Sequence, residues 1–327
     1  MAGLGPGFFG ARFGAHAYRW RVDEEVGLKV GGGSDTGNAL RYHTRYLLAV
    51  VFAALLSLGI AVPVFAAEET TGGGDSTTNG SRIVGGTAVP DGKYKFIAAL
   101  RDVTRGSSVY QQQFCGATLI DRDSVLTAAH CVQGTTRTPL RVTVGITALN
   151  KKQGQTRRVA TIFRHPKYFP RRNEANDVAV LKLSSPVRNV APVKIPSVSF
   201  NTFEQPGRTA TIAGWGNTER QGPFFQQPDN FPYRMREAKV PLVRDGVGKR
   251  VYGDNYVTPR MVAAGKENKD TCQGDSGGPM FVPTSTGRYQ IGITSFGAGC
   301  GTEGFPGVYT ETNAEVIRNF IATAMRR

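Results

Sequence analysis

Past residue 82, short apolar runs alternate with turn signals along the chain. The runs Phe96–Leu100, Ala117–Leu126, Arg141–Val144, Val178–Leu183, Thr209–Ala213, Tyr289–Phe296 and Gly307–Thr310 are rich in Val, Ile, Thr and aromatic residues. Clusters of Gly, Pro, Asn, Asp and Ser separate them, and this spacing predicts the many short strands of a barrel or sandwich. No repeat of solenoid length emerges. The last segment has another period. Val316, Ile317, Phe320, Ile321 and Ala324 recur at helical spacing, and Asn313 stands where a helix N-cap would be, which predicts a helix over 314–325.

Upstream the pattern changes twice. Arg41 and Arg45 precede a nearly continuous apolar run, Tyr46 to Ala61, followed by Pro63, Val64-Phe65-Ala66 and the acidic Glu68 and Glu69. This reads as a signal peptide over 41–67. A membrane anchor is the alternative for a run of this length, but Pro63 and the Ala66-Ala67 pair have the character of a processing site. Residues 68–82 are polar, Gly-, Ser- and Thr-rich, and read as a flexible, protease-accessible linker or propeptide. Residues 1–40 read as a spurious or disordered extension, and 83–327 as the folded domain.

Composition narrows the class. The 327 residues include 41 Gly and 18 Pro, which suit an all-β chain better than a helical bundle. The formal charge is +15. Its densest stretch holds Lys151, Lys152, Arg157, Arg158, Arg164, Lys167, Arg171 and Arg172 without regular aromatic interleaving, so no nucleic-acid partner is expected. The four cysteines, Cys115, Cys131, Cys272 and Cys300, form no CxxC pair and the chain has only four histidines, which argues against a zinc site. Behind an export signal they read as two disulfides, with three pairings open.

The chemistry concentrates in three places. Gly274-Asp275-Ser276-Gly277-Gly278-Pro279 puts a serine among glycines, where backbone can approach closely and turn N–H groups toward a developing oxyanion. A serine nucleophile needs a base. The folded region offers two histidines, His130 within Thr127-Ala128-Ala129-His130-Cys131 and His165 before Pro166. His165 reads as structural and His130 as the base. An imidazole base needs an acceptor to hold its tautomer, and Asp177 heads the apolar run Val178–Leu183.

Together these segments resemble the trypsin-like serine protease family over essentially all of 83–327. The resemblance is carried by Arg82-Ile83-Val84-Gly85-Gly86, Phe114-Cys115-Gly116, Ala128-Ala129-His130-Cys131, Asp177-Val178-Ala179, Ala213-Gly214-Trp215-Gly216, Asp270 to Pro279 and Pro306-Gly307-Val308-Tyr309. The order His, Asp, Ser is that of the chymotrypsin arrangement. It implies an all-β fold of two antiparallel six-stranded β-barrels, 83–195 and 196–327, the second segment ending in the C-terminal helix, which is expected to pack on the β core. It implies Ser276 as nucleophile, His130 as base, Asp177 as its orienting acid, and the N–H groups of Gly274 and Ser276 as the oxyanion hole.

The same resemblance places Asp270 on the floor of the primary specificity pocket, Gly297 and Gly307 in its walls, and Ser295, Phe296 and Gly297 along the substrate backbone, with Phe296 in place of the usual Trp. Cleavage after Arg or Lys follows. It pairs Cys115 with Cys131 and Cys272 with Cys300, each worth about 3 kcal/mol in the chain-entropy picture. A third disulfide of animal trypsins is missing, since Val262 replaces one partner, and the pocket is expected to be looser. Residues 145–156 contain no Asp or Glu, so no calcium site is expected there, nor any other metal or cofactor. Activation is implied by cleavage after Arg82, with the new amino group of Ile83 pairing with Asp275. The expected product is a secreted monomer acting on polypeptides, open to proteinaceous inhibitors and without stable membrane association once the signal is removed. Two other readings compete with this one. An inactive cationic binding protein on this fold would ordinarily have lost His, Asp or Ser, and all three are present. An esterase using Gly274-Asp275-Ser276-Gly277-Gly278 as an elbow needs a later histidine, and none follows Ser276.

Overall fold

The computed structural model describes residues 83–170, 173–198, 201–222 and 230–327. The segments read above as extension, signal peptide and linker, and with them Arg82, lie outside the described residues.

Thirteen strands are described: β1 Thr87–Ala88, β2 Ile97–Asp102, β3 Gln113–Asp121, β4 Ser124–Thr127, β5 Leu140–Val144, β6 Gln155–Arg164, β7 Ala179–Leu183, β8 Thr209–Gly214, β9 Arg236–Pro241, β10 Met261–Ala264, β11 Pro279–Thr284, β12 Gly287–Phe296 and β13 Gly307–Glu311. β2, β3, β4, β7, β6 and β5 close into a barrel in that order. Its inward positions include Leu100, Leu119, Val142 and Leu181, all fully buried.

The second half is a seven-stranded antiparallel sheet ordered β1–β9–β8–β11–β12–β13–β10. The chain just beyond β9 meets β10, the far end of this sheet, through one bridge, Leu242 to Ala264, reinforced by Val243 N–H donating to Ala263 O at 3.0 Å and Gly265 N–H to Pro241 O at 3.1 Å. Six strands, β8 to β13, thus curl into the second barrel. The seventh, β1, pairs Thr87 and Ala88 with Glu237 and Arg236 and covers what would be the open edge of β9. Ile83, Ile212, Val240, Met280 and Ile291 fill this core. Phe281 reaches across to the first barrel, where its ring lies 5.0 Å from Tyr94 and 5.4 Å from Phe96 in edge-on contacts.

Among the described residues three helices are longer than a single 3₁₀ turn: α1 Val109–Gln112, α2 Asp245–Tyr252 and α3 Glu315–Arg326. In α3, Ile317, Ile321 and Ala324 are buried, as the helical spacing predicts, in one cluster with the core of the first barrel. Lys182 Nζ of β7 donates to Met325 O at 3.2 Å near its end. Asn313 does not cap it. The residue before α3 is Ala314, with no side-chain cap, and Asn313 Nδ2 donates to Glu204 Oε2 at 2.8 Å.

Candidate active site

His130 opens a 3₁₀ turn just beyond β4, and Asp177 lies two residues before β7. Strands β4 and β7 are neighbours, with Thr127 opposite Ala179, so the barrel itself brings the two side chains together. Asp177 is fully buried. Its Oδ1 accepts the backbone N–H of His130 at 2.9 Å, and its Oδ2 lies 2.7 Å from Nδ1 of the ring. Oδ2 also accepts Ser295 Oγ at 2.6 Å, and Thr310 Oγ1 donates to the backbone carbonyl at 2.9 Å. An ionised carboxylate only accepts, so the shared proton sits on Nδ1 and Nε2 is left as a base.

The electrostatics agree with this geometry. Burial works against the Asp177 charge, but the His130 charge and the hydrogen bonds from His130 and Ser295 outweigh it, and its pKa is lowered. Burial likewise opposes a charged His130, yet the charge and hydrogen bond of Asp177 win, and the imidazole pKa is raised.

Ser276 is set against this pair by its glycines. Gly277 is at φ 75°, and a Cβ there would overlap Thr127 Oγ1 and come within 3.0 Å of Ala128 N, so the nucleophile loop packs directly on the segment leading to His130. Gly116 N–H of β3 donates to Ser276 O at 2.7 Å. Within the loop the N–H groups of Asp275, Gly277 and Gly278 donate to Cys272 O, Thr294 O and Asp275 O at 2.8–3.0 Å. Among the described residues no acceptor takes the N–H of Gly274 or of Ser276. Gly274 itself is at φ 92°, a conformation that favours glycine.

A cavity of about 200 Å³ opens beside Ser276, lined by Asp270, Ser295, Phe296, Gly297 and Gly307 among others. That is below the roughly 300–1,000 Å³ of sites for drug-sized ligands and suits one long side chain. Asp270 is buried, with Oδ1 accepting Thr271 N–H at 2.8 Å and Oδ2 accepting Gly301 N–H at 3.2 Å. Burial pushes its pKa up to about 7 against these two donors, and the nearby Asp275 charge adds to the rise. A Cβ on Gly307 would stand 2.5 Å from Asp270 Oδ1, closing the floor, whereas one on Gly297 would meet only ordinary contacts.

Both disulfides frame the site. Cys115–Cys131 adjoins His130, and Cys272–Cys300 ties two walls of the cavity, with Cα–Cα distances of 6.3 and 5.2 Å. Among the described residues one group of metal-ligand types gathers, Cys115, His130 and Cys131, and its two sulfurs are bonded to each other. In the loop 145–156, Gln153 Oε1 accepts the N–H groups of Thr147 and Ala148, each at 3.1 Å. His165 is buried beside Phe320, its Nδ1 accepting Lys167 N–H at 3.2 Å.

Four features were not anticipated from the sequence. Asp275 is fully buried and accepts Gly216 N–H at 2.8 Å and Cys272 N–H at 3.0 Å. A Cβ on Gly214 or Gly216 would overlap its carboxyl, which explains the glycines flanking Trp215. Tyr252 braces the pocket, its hydroxyl donating to Pro306 O at 2.7 Å and accepting Ala298 N–H at 3.3 Å; the walls therefore have a tie besides the disulfide. Gln113 Nε2 donates to Gly274 O at 3.0 Å. Glu174, three residues before Asp177, is held by Tyr168 Oη at 2.8 Å. Burial raises its pKa, and its charge adds to the pull on the His130 proton.

The sequence pattern of the Trypsin family matches residues 83–321. Similar proteins include a "Trypsin" of Saccharopolyspora erythraea, 40% identical over 205 residues (62% of this chain and 84% of that protein). "Trypsin-1" of Astacus astacus is 34% identical over 248 residues (72% and 97%), and a "Trypsin-like protease" of Streptomyces glaucescens is 34% identical over 238 residues (71% and 79%). The chain belongs to the trypsin family and is a serine endopeptidase.

Proposed function

We propose that this endopeptidase cuts polypeptides after Arg or Lys, using Ser276, His130 and Asp177, after it is itself cut behind Arg82. The observation that carries the specificity is Asp270, a buried carboxylate on the floor of a cavity that also touches Ser276. An unpaired charge in such a place is costly, and a guanidinium or ammonium relieves that cost while an apolar side chain does not.

With the Arg or Lys side chain in this cavity, the scissile carbonyl comes to Ser276. His130 Nε2 takes the hydroxyl proton as Oγ attacks, and returns it to the leaving amine. Asp177 keeps Nδ1 protonated and stabilises the imidazolium. The free N–H groups of Gly274 and Ser276 are the donors for the tetrahedral oxyanion. Water then attacks the acyl-enzyme with His130 again as base.

Activation is supported by two features at the start of the described chain. Ile83 is fully buried at φ 41°, a backbone conformation that a β-branched residue avoids. Cleavage behind Arg82 frees the Ile83 nitrogen and with it lifts the restriction that a peptide bond places on that dihedral. Asp275, meanwhile, has no cation paired with it among the described residues. A new α-ammonium supplies one. Export through the 41–67 segment completes the reading. Among the described residues no helix is long and apolar enough to cross a membrane. The test is to express the full chain, sequence the N-terminus of any protein found in the medium, and compare kcat/KM on peptides that differ only in Arg, Lys, Phe or Ala before the cut bond. A preference for Phe or Ala overturns the specificity; activity of an intact Arg82→Gln chain equal to that of the cleaved form overturns the activation.

A further inference from the structure

The first barrel carries a row of like charges on its outer face. Arg101 of β2 stands directly opposite Arg141 of β5, and Arg141 directly opposite Arg158 of β6. Their neighbours Leu100 and Val142 point into the core, so the three arginines share the outward side. Arg137, in the turn before β5, joins them by donating to Ala160 O of β6 at 2.9 Å. Like charges facing each other across antiparallel strands cost stability. Nothing offsets that cost locally: among the described residues none of these four arginines forms an ion pair.

The row is ordered nonetheless. Arg101 donates to Thr143 Oγ1 at 2.9 Å and to Gln112 Oε1, and Arg141 Nη1 donates to Thr138 O at 2.9 Å and Leu140 O at 2.8 Å. It also begins at the active site. Arg101 pairs on its other side with Gln113 of β3, whose side chain holds Gly274 O. From Gln113 the row leads away over Arg101, Arg141 and Arg158, three strand steps of about 4.8 Å each. The acyl half of a substrate fills the Asp270 cavity, so the leaving half departs on the other side of Ser276, where β3 lies. An extended chain rising about 3.3 Å per residue covers three such steps in four or five residues.

We propose that Arg101, Arg141 and Arg158 form an accessory site that holds an acidic stretch of the polypeptide being cut, reached roughly four or five residues beyond the cleaved bond. Carboxylates suit the row because a guanidinium grips them through two parallel hydrogen bonds. The site rests on the proposed cleavage after Arg or Lys.

The test uses two internally quenched peptides with one Arg and identical residues around it, one followed at the fifth to eighth positions by four Glu, the other by four Gln. The activated wild type should cut the Glu peptide with a kcat/KM roughly five- to tenfold higher, the scale of two exposed ion pairs. The gain should appear in KM and shrink toward parity at about 0.5 M salt. The Arg141→Gln/Arg158→Gln double variant should lose the gain, cut the Gln peptide as the wild type does, and melt at a higher temperature, since the repulsion is gone. Equal wild-type rates on the two peptides, both cut after Arg, overturn the site, and so does a gain that survives in the double variant. Equal rates with retention on heparin resin that the double variant lacks overturn it in favour of a sulfated polysaccharide. If neither peptide is cut after Arg, the specificity reading fails first and the site falls with it.

Discussion

Asp177 holds His130 at two points: Oδ1 takes the backbone N–H at 2.9 Å and Oδ2 takes Nδ1 of the ring at 2.7 Å. The first fixes where the ring starts, the second which nitrogen keeps the proton. An asparagine side chain in its place preserves the shape but presents an N–H to one of these donors. Asp177→Asn should therefore lower kcat by about 10⁴ near neutral pH, through the wrong tautomer. Ser276→Ala and His130→Ala should each cost about 10⁶. Ester hydrolysis, with circular dichroism to show that each variant folds, measures this. Loss of under tenfold in any of the three refutes its role.

The pH profile should show the raised His130 pKa. The base works only when neutral, so the acid limb of kcat/KM should fall at a pH above the ordinary imidazole value of about 6.5. Asp177 is the main cause, and Glu174 adds its charge. Glu174→Gln should move the limb to lower pH and leave the plateau rate near that of the wild type. An unmoved limb would separate Glu174 from the base.

The site was more legible in the sequence than the sheets were. His130, Asp177 and Ser276 stand in short motifs whose residue types are dictated by chemistry, and the strands carrying the first two were apparent because Val125, Leu126 and Val178–Leu183 are apolar throughout save Lys182. β6 and β9 were not apparent. In β6, QTRRVATIFR, Gln155 and Arg157 share the face of core-facing Val159 and Arg158 flanks it, and in β9, REAKVP, Arg236 shares the face of buried Ala238 and Val240, so neither strand shows a clean alternation. The run Ala117–Leu126 reads as one strand but turns at Arg122–Asp123, between β3 and β4. Asn313 had the right residue type for a helix cap, and a tertiary partner, Glu204, takes its amide. Gly214 and Gly216 were visible as a motif, but their reason, the Asp275 carboxyl beside both, exists only in three dimensions.

In the uncleaved chain, burial pushes Asp275 up to about 7 against the donors Cys272 and Gly216. The folded precursor then binds a proton that the unfolded chain has already released, so stability is full below pH ~4 and declines as pH rises toward about 7. Pairing with the Ile83 ammonium removes this penalty until the amine itself deprotonates above pH ~8. Cleavage after Arg82 should therefore raise Tm more at pH 7 than at pH 4. Other raised carboxyls, Glu204 at about 7 and Glu311 at about 8, are common to both forms and cancel in the difference. Calorimetry of the Arg82→Gln precursor and the cleaved enzyme decides it, and equal increments at the two pH values would falsify the pairing.

Asp270 makes occupancy of the pocket depend on pH. With its pKa at about 7 in the empty cavity, a cation must expel a proton to bind below that value. The affinity of a small arylamidine should rise about tenfold per pH unit up to neutrality and then level off, with close to one proton released in calorimetry at pH ~6. The donors from Thr271 and Gly301 hold the carboxylate at fixed points, so a guanidinium meets a preformed partner. Asp270→Ser should abolish this pH dependence together with several kcal/mol of preference for Arg substrates. A small acylating reagent should still label Ser276, because the triad is untouched. Gly307→Val, whose Cβ would stand 2.5 Å from Asp270 Oδ1, should close the pocket to Arg and Lys while leaving the same labelling intact. Arylamidine binding that is flat from pH ~5 to ~8, or an Arg preference that survives Asp270→Ser, would show that the pocket selects by shape and not by charge.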